Sequence, residues 1–341
     1  MSVLEVANLT VAFGQRGGAR LTAVDDLSFS LRAGQTLALV GESGSGKSTV
    51  VRAAAQLLKP SSGQIRLNGK PAGRRGRALR SYRHQVQVIF QDPFASLNPM
   101  HTVRHHLARP LLLRSGQQQR GAALDQAVYD LLQSVNLTPP QEVADKHPHE
   151  LSGGQRQRVA IARALATDPD VLLADEPVSM LDVSIRLEIL NLLDRLKQDR
   201  NLAMLYVTHD LATARYFSSE IMVMYRGVVV ERGPSDEVIL NPAHPYTQIL
   251  ASAAPDPAAS RQALADARRR RQAARAARTA EAREATLDQG CRFRSRCPRA
   301  MPACADTPPS VETGPDHHAL CWLYESQAGA ASPAQSATGG G

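Results

Sequence analysis

A glycine-rich segment, GESGSGKST at residues 41–49, constrains the fold of this 341-residue chain more than any other part of its sequence. The preceding residues 36–40 form a short apolar run that predicts a buried strand. Residues 48–58 then have the pattern of a helix that stops near Pro60. Glycines let backbone N–H groups converge on an anion without an intervening Cβ, and the N-terminus of a helix favours negative charge. This order of strand, loop and helix predicts a phosphate-binding loop.

The side chains of this loop predict a nucleotide that is bound with magnesium. Lys47 supplies a positive charge for the β and γ phosphates, Ser48 can ligate Mg²⁺, and Thr49 can add a hydroxyl contact. The motif alone does not separate kinases, GTPases, helicases and transporters. The residues that it assigns to the nucleotide are Gly41, Ser43, Gly44, Gly46, Lys47, Ser48 and Thr49.

A second apolar run ends in two adjacent carboxylates. Residues 171–177 read VLLADEP, which predicts a strand followed by Asp175 and Glu176. Asp175, at the tip of the strand, is placed to hold Mg²⁺ through water, whereas Glu176 points differently and can polarise an attacking water. Because a phosphate loop lies on the same chain, this pair predicts hydrolysis of a nucleoside triphosphate.

A second candidate anion site lies at residues 151–155, which read LSGGQ. Ser152, Gly153 and Gly154 precede a predicted helix that begins at Gln155, and a helix N-terminus is suited to an anion. One nucleotide cannot easily use two such sites of one subunit. Two subunits arranged head to tail can instead place each ATP between the phosphate loop of one and the LSGGQ segment of the other, so the sequence predicts a dimer.

With these three motifs the chain resembles the ABC ATPase family over about residues 1–250. The resemblance implies that Gln91, in VIFQDP, links Mg²⁺ and water to a helical subdomain, and that Asp182, in SMLD, crosses the dimer interface. It also implies that His209, in YVTHD, contacts the γ-phosphate and that Phe13 stacks on adenine, the alternative for Phe13 being a place in the core. The catalytic residues that it implies are Glu176, His209, Gln91 and Lys47.

The resemblance implies an α/β fold, a P-loop ABC ATPase domain with a RecA-like mixed sheet, an antiparallel β subdomain and a helical subdomain. The residue pattern agrees, because strands that alternate with helices indicate a mostly parallel sheet. Strands are predicted at residues 4–13, 27–31, 36–40, 64–68, 86–90, 171–174, 202–208 and 221–225, and helices also at 122–135 and 155–166. The predicted division is an ATPase domain at 1–255 with its helical subdomain at about 92–165, an Ala/Arg-rich linker at 256–286, a small cysteine-containing extension at 287–325 and a disordered tail at 326–341.

Three longer segments narrow the resemblance to the oligopeptide/dipeptide importers: HPHELSGGQRQR at 147–158, DEPVSMLDVS at 175–184 and NPAHPYTQIL at 241–250. This implies a subunit that hydrolyses ATP to power uptake of peptides or related small solutes. Its implied partners are a second ATPase subunit, a paralogue in a heterodimer, two transmembrane permease subunits and an extracytoplasmic solute-binding protein. The alternative is a non-transport ABC ATPase that acts on nucleic acid or the ribosome. Such proteins typically carry a coiled-coil insertion, zinc modules or two fused ATPase halves, which this sequence does not show, so nucleic acid is not an expected partner.

The sequence contains no apolar stretch of about 18 residues and no secretory signal in MSVLEVANLT. We therefore expect a soluble chain at the cytoplasmic face of the bacterial inner membrane, attached through permease subunits. Much of the formal net charge of +8 lies between residues 261 and 299. The Arg-rich segment 261–283 predicts a solvated Ala/Arg helix, with contact to anionic lipid or to the partner ATPase as alternatives.

All four cysteines lie beyond residue 290 and favour a metal site over disulfides, because the cytoplasm is reducing. Their spacing lacks the C-x₂₋₄-C knuckle of most zinc sites, whereas four thiolates can hold an iron–sulfur cluster. The importer resemblance implies a [4Fe–4S] cluster, with zinc, or unligated or disulfide-linked cysteines, as alternatives. Nearby arginines would offset the charge of the cluster, and His317 and His318 are further candidate ligands or exposed side chains. The predicted cluster ligands are Cys291, Cys297, Cys304 and Cys321.

Overall fold

The computed structural model describes residues 2–14, 20–114, 120–252 and 290–325. The strands in these ranges are β1 Ser2–Gly14, β2 Arg20–Arg32, β3 Thr36–Val40, β4 Ser62–Leu67, β5 Lys70–Pro71, β6 Val86–Ile89, β7 Val171–Asp175, β8 Ala203–Thr208, β9 Glu220–Tyr225, β10 Val228–Pro234, β11 Ser310–Gly314 and β12 His317–Leu320. The α-helices are α1 Lys47–Ala54, α2 Gly76–Gln85, α3 Pro93–Ser96, α4 Val103–Arg114, α5 Ala122–Ser134, α6 Pro140–Asp145, α7 Gly153–Leu165, α8 Val183–Asp199, α9 Leu211–Phe217, α10 Ser235–Leu240 and α11 Pro245–Ser252. The predicted linker, Arg-rich segment and tail lie outside the described residues.

The larger sheet has the strand order β11-β12-β10-β9-β3-β8-β7-β6. Strands β6, β7, β8, β3 and β9 are parallel to one another, whereas β10 and the β11–β12 hairpin are antiparallel additions. The central strands β3, β7 and β8 are buried along their whole length, which explains why they read as continuous apolar runs rather than as alternating ones. Because these strands are parallel, the residues that follow them meet at one edge of the sheet.

A smaller antiparallel sheet has the order β2-β1-β4-β5. Its apolar side chains share a core with α1 and with one face of the larger sheet, as Leu9, Val51 and Leu205 illustrate. The register between β1 and β2 shifts near Asn8 and Asp26, which both have φ of 50°. These irregularities interrupt the alternation of side chains, and β2 was therefore predicted shorter than it is.

The helices between β6 and β7 form a layer of their own. Helices α4, α5 and α6 pack on one another, and α7 packs on α3, α4, α5 and β6. Their buried side chains, such as Leu107, Val128 and Leu132, join the core on the other face of the larger sheet. In the described ranges, no helix combines the length and the apolar composition needed to cross a membrane.

Several element boundaries differ from the sequence prediction. Helix α1 ends at Ala54 rather than at residue 58, because the chain turns back at Gln56 with φ of 56°. The sequence pattern did not reveal α2, α8, α9, α10, α11, β5, β10, β11 or β12. The hairpin residues SVETG and HHAL carry a weak strand signal, and β12 owes its place to pairing with β10. The cysteine-containing extension therefore continues the larger sheet.

Candidate active site

The phosphate loop is held in shape by contacts that tolerate only glycine at two positions. Lys47 Nζ donates hydrogen bonds to the carbonyl oxygens of Gly41 at 2.7 Å and Glu42 at 2.9 Å. A Cβ on Gly41 would lie 2.2 Å from the carbonyl oxygen of Met224. Gly46 has φ of 108°, and a Cβ there would approach the carbonyl oxygen of Ala23 to 2.3 Å. Helix α1 starts directly after Gly46, so its unpaired first-turn N–H groups adjoin the loop.

The side chains around the loop fit a phosphate group with Mg²⁺. Burial lowers the pKa of Lys47, against the opposing effect of three nearby carboxylates. Ser48 Oγ donates to Asp175 Oδ1 at 3.1 Å, and burial raises the pKa of Asp175. Within the described part of the chain, the Ser45 hydroxyl is buried without a hydrogen-bond partner. Hydroxyl and carboxylate oxygens are the ligands that Mg²⁺ prefers, and the positive charge of a buried lysine suits a phosphate group.

Three of the predicted catalytic side chains meet at one carboxylate oxygen. Gln91 Nε2 lies 3.3 Å from Glu176 Oε2, and His209 Nδ1 lies 3.1 Å from the same atom. The hydrogen bond from His209 is the main cause that lowers the pKa of Glu176, and the same bond raises the pKa of His209. An ionised carboxylate only accepts hydrogen bonds, so Nδ1 of His209 carries the proton that it donates.

The parallel sheet explains why residues far apart in sequence meet here. Gln91 follows β6, Glu176 follows β7 and His209 follows β8, at the same edge of the sheet. Glu176 has φ of 47°, and its N–H donates to the Val207 carbonyl at 3.0 Å. This backbone bend separates the direction of Glu176 from that of the preceding Asp175, which remains hydrogen-bonded to Ser48.

Two residues beside this group were not singled out from the sequence. Asp210 caps α9 by accepting the Ala212 N–H at 2.9 Å, and Arg186 Nη1 lies 3.7 Å from Asp210 Oδ2. An aspartate directly before a helical pattern is the usual sequence signal of such a cap. Arg186 lies in the first turn of α8, a helix that the sequence pattern did not reveal, so no comparable signal pointed to it.

The LSGGQ segment starts its helix earlier than predicted. Ser152 Oγ accepts the Gln155 N–H at 3.2 Å, and Gln155 Oε1 accepts the Ser152 N–H at 2.9 Å. This reciprocal cap places the first helical residue at Gly153 rather than at Gln155. A Cβ on Gly154 would lie 2.9 Å from Ile185 Cγ2, so this glycine permits close packing of α7 on α8.

The structure does not bring every predicted site residue to the phosphate loop. Helix α7, which carries the LSGGQ segment, packs on α3, α4, α5 and α8, whereas α1 packs on β1, β2 and β7. Phe13 lies at the end of β1 with 41% of its surface exposed, so the core alternative for it is wrong. Asp182 is exposed between Met180 and Val183, which are 55% and 73% exposed.

The four cysteines do not form the predicted metal site. All four are free thiols, and no three His, Cys, Asp or Glu side chains of the described residues make a group that could hold a metal ion. Burial raises the pKa of the Cys291 and Cys321 thiols, which disfavours the thiolate form that binds metal. Cys291 and Cys297 pack against the main hydrophobic core instead. The prediction of a [4Fe–4S] cluster is therefore wrong, and zinc as the alternative lacks a ligand group as well.

The polar residues near the cysteines also have other partners than predicted. Arg296 pairs with Glu42 and Arg292 pairs with Asp25, so these arginines do not offset a cluster. His317 is buried, with Nε2 at 2.7 Å from Glu231 Oε1, whereas His318 is exposed. The exposed-histidine interpretation is therefore correct for His318 and wrong for His317.

Solved structures of ATP-binding cassettes share this fold. The ATP-binding cassette MJ0796, described as a dimer in a post-hydrolysis state bound to ADP and Pi, matches with a TM-score of 0.62 at 29% identity. That match covers 68% of this chain and 98% of the cassette. The cbiO1 protein of Clostridium perfringens, described as part of the transporter complex cbiONQ, has a TM-score of 0.61 at 27% identity, covering 70% of this chain and 91% of cbiO1.

Sequence comparisons cover nearly the whole chain. Residues 24–179 match the ABC transporter family, and residues 230–304 match the C-terminal region of oligopeptide/dipeptide transporters. The oligopeptide transport ATP-binding protein AppF of Bacillus subtilis is 39% identical over 336 residues, which cover 95% of this chain and 98% of AppF. A putative peptide import ATP-binding protein of Brucella ovis is 41% identical over 309 residues, 90% of this chain and 93% of that protein. This chain belongs to the ABC transporter family, in the group of ATP-binding proteins with the oligopeptide/dipeptide transporter C-terminal region.

Proposed function

We propose that this chain hydrolyses ATP with Mg²⁺ to power the import of dipeptides, oligopeptides or related small solutes. The observation that carries the proposal is the convergence of Gln91 and His209 on Glu176, at the sheet edge where Ser48 meets Asp175. The curated relatives are named for oligopeptide transport or peptide import, which favours import over the alternative of an ABC ATPase that acts on nucleic acid.

Different residues are proposed to bind the phosphates, the adenine and the Mg²⁺ of the nucleotide. We assign the phosphates to Lys47 and to the backbone of Gly44, Gly46 and Ser48, and we assign adenine to the exposed ring of Phe13. The remaining assigned loop residues are Gly41, Ser43 and Thr49. The proposed Mg²⁺ ligands are Ser48, Asp175 and Gln91, and the bound ion would neutralise charge on the phosphates.

Glu176 is the proposed general base. Its lowered pKa keeps the carboxylate ionised near neutral pH, which a proton acceptor requires. Gln91 and His209 fix the direction of Oε2, so a water beside the free face of the carboxylate meets a defined acceptor. The proposed roles of these residues therefore depend on the geometry that the parallel sheet provides.

The LSGGQ segment is the proposed second half of each site. We assign Ser152, Gly153, Gly154 and Gln155 to the nucleotide held by the partner's phosphate loop, and Asp182 to the interface. The reciprocal cap prepares the N-terminus of α7 for an anion, and the exposed apolar residues beside Asp182 supply surface for a partner. We propose that this partner is a paralogous ATPase subunit.

Two permease subunits and an extracytoplasmic solute-binding protein complete the proposed transporter, which places this chain at the cytoplasmic face of the bacterial inner membrane. The helical layer exposes Phe94, Met100 and Leu113, with 51%, 79% and 62% of their surfaces accessible. Exposed apolar side chains of this kind suit docking to another protein. The proposed divisions of the chain are an ATPase domain at 1–255, a linker at 256–286, the cysteine-containing extension at 287–325 and a tail at 326–341.

A Glu176→Gln substitution tests the proposed chemistry. Removal of the acceptor should lower ATP turnover by about 100-fold or more, because general base catalysis commonly contributes that much. The variant should still bind ATP and, together with the paralogous subunit, should accumulate as an ATP-bound dimer in light scattering. Lys47→Ala serves as the comparison, because it should lose ATP binding and show no such dimer. Unchanged turnover in Glu176→Gln would exclude Glu176 as the base.

A further inference from the structure

Residues 290–325 contact the phosphate loop directly, at its second residue. Arg296 Nη1 lies 3.1 Å from Glu42 Oε2, and Nη2 lies 3.3 Å from Glu42 Oε1, a two-point contact between guanidinium and carboxylate. The side chains are only 15% and 22% exposed, so solvent screens this pair less than a surface pair. The N–H of Glu42 also donates to the Tyr246 hydroxyl at 2.9 Å.

A second arginine of the same segment acts on the other side of the loop. Arg292 donates to the Arg226 carbonyl and pairs with the carboxylate of Asp25. The next residue, Gly227, donates its N–H to the Ser45 carbonyl at 2.9 Å, so the turn that Arg292 holds is bonded to the phosphate loop. Arg296 therefore contacts the loop directly at Glu42, whereas Arg292 is linked to it at Ser45 through the turn of Arg226 and Gly227.

The side chain between the two arginines anchors them to the ATPase core. Phe293 is 1% exposed, and its ring centroid lies 5.2 Å from that of Tyr225 and 5.5 Å from that of Tyr246. Tyr225 and Tyr246 are the residues whose hydroxyls contact Arg296 and the Glu42 N–H. One buried aromatic cluster thus fixes both the arginine and the loop segment that it holds.

We propose that residues 290–325 stabilise the conformation of the phosphate loop, with Arg296 as a positioning residue for ATP binding. The inference rests on the proposed ATPase function. Arg296 holds Glu42, and so residues 41–49, in the conformation that receives phosphate before the nucleotide arrives. Ligand binding then does not have to order the loop. Arg296 also neutralises the Glu42 carboxylate, which acts electrostatically on Lys47 beside the phosphate position.

The test measures the dissociation constant of labelled ATP with Mg²⁺ for the full chain and its variants. Arg296→Ala should weaken binding about tenfold, since coupled partly buried groups interact on that scale. Arg296→Lys should recover part of the loss, because one charge-assisted contact to Glu42 remains possible. Arg294→Ala is the matched control, an exposed arginine in the same short turn, and should change the constant by less than about twofold.

A double-mutant cycle separates positioning from general damage to the extension. In a Glu42→Ala background Arg296 has no loop carboxylate to hold, so Arg296→Ala should change ATP binding by less than about twofold. A variant that merely loosened residues 290–325 would lower affinity equally in both backgrounds. In turnover assays Arg296→Ala should raise KM for ATP and leave kcat at saturating ATP nearly unchanged, because Arg296 contacts Glu42 in the phosphate loop, whereas Gln91 and His209 orient Glu176.

The result for Lys47→Ala separates failure of this inference from failure of the proposed function. If wild-type protein binds ATP, Lys47→Ala does not, and Arg296→Ala matches Arg294→Ala, only the positioning role of Arg296 is refuted. Equal effects of Arg296→Ala in both backgrounds also refute it. If wild-type protein does not bind ATP, or binds it no better than Lys47→Ala does, the proposed function fails and the positioning role of Arg296 fails with it.

Discussion

Two edges of the larger sheet are built from different kinds of contact. The catalytic edge carries the proposed catalytic residues that follow β6, β7 and β8, and the C-terminal edge consists of β10, β11 and β12 with the rest of residues 290–325. At the catalytic edge, Ser48, Asp175 and Glu176 belong to short motifs: Ser48 lies in the first turn of α1, Asp175 is the last residue of β7, and Glu176 follows it directly. At the C-terminal edge, the key contacts join residues with no common motif, such as Arg296 and Glu42, which are 254 positions apart. The difference teaches that a motif carries its chemistry locally, whereas support for that chemistry can come from anywhere in the chain.

The buried carboxylates of the two edges also differ in their hydrogen-bond partners. Glu231, in β10, is 1% exposed and accepts hydrogen bonds from the N–H groups of Ala243 and His244, both at 2.8 Å, and contacts His317 Nε2 at 2.7 Å. Asp175 is also buried, but its one described hydrogen bond is to Ser48, at a site that fits a cation. We therefore expect the loss of the buried carboxylate of Glu231 to cost stability and the loss of the carboxylates at the catalytic edge to cost activity.

Glu231→Ala is the most severe test of this comparison. Removal of the carboxylate leaves two buried N–H donors and the buried His317 without their acceptor, which should lower the free energy of unfolding by about 3–5 kcal/mol. Chemical denaturation monitored by circular dichroism measures the change. Ser48→Ala should lower the same quantity by only about 1–2 kcal/mol, because it removes one hydrogen bond to the buried Asp175 while Lys47 and Arg52 still act on that carboxylate.

Glu312→Ala is the matched control for Glu231, because Glu312 is an exposed glutamate on the adjoining hairpin strand β11. Its free energy of unfolding should stay within about 0.5 kcal/mol of the wild-type value. If Glu231→Ala were as mild as Glu312→Ala, or if Ser48→Ala were as damaging as Glu231→Ala, the contrast between the two edges would not hold.

The C-terminal edge should also make the protein sensitive to acid. Burial lowers the pKa of His244 to about 4, and the opposing effect of Glu231 does not offset it. Between this pKa and the ordinary value near 6.5 the unfolded chain binds more protons, so stability falls as the pH falls through this window. Relative to pH 8, His244 should cost about 2 kcal/mol of unfolding free energy at pH 5.

His244→Asn isolates this contribution from other titrating groups. Asparagine can still accept the Tyr246 N–H, which His244 Nδ1 accepts at 3.1 Å, but it does not titrate. Denaturation curves of both proteins at pH 5 and pH 8 give the difference. A His244→Asn protein that lost as much stability as the wild type on acidification would show that His244 is not the responsible group.

The sequence predicted where the central strands and the phosphate loop of the catalytic edge lie, because backbone geometry links these motifs to positions. Residues 36–40 match β3, and Gly41 and Gly46 of the loop stand where close backbone approaches exclude a Cβ. Tertiary contacts decided what the sequence did not predict. Burial raises the pKa of the Cys291 and Cys321 thiols, β12 forms by pairing with β10, and the contact between Arg296 and Glu42 joins residues that are far apart in sequence.

The smallest expected effect concerns the electrostatic link between His209 and Glu176. The hydrogen bond to Glu176 raises the pKa of His209, so Glu176→Gln should lower it toward its ordinary value. In the wild type this pair stabilises the fold at pH values above the lowered pKa of Glu176 and below the raised pKa of His209. The stabilisation is lost as the pH rises through the pKa of His209. NMR titration of the histidine ring protons measures the shift, with His209→Gln to assign the resonance. Glu312→Gln should leave the pKa of His209 unchanged. If Glu176→Gln also left it unchanged, the carboxylate would not be the partner that raises the pKa of this histidine, and the proposed coupling of His209 to Glu176 would be refuted.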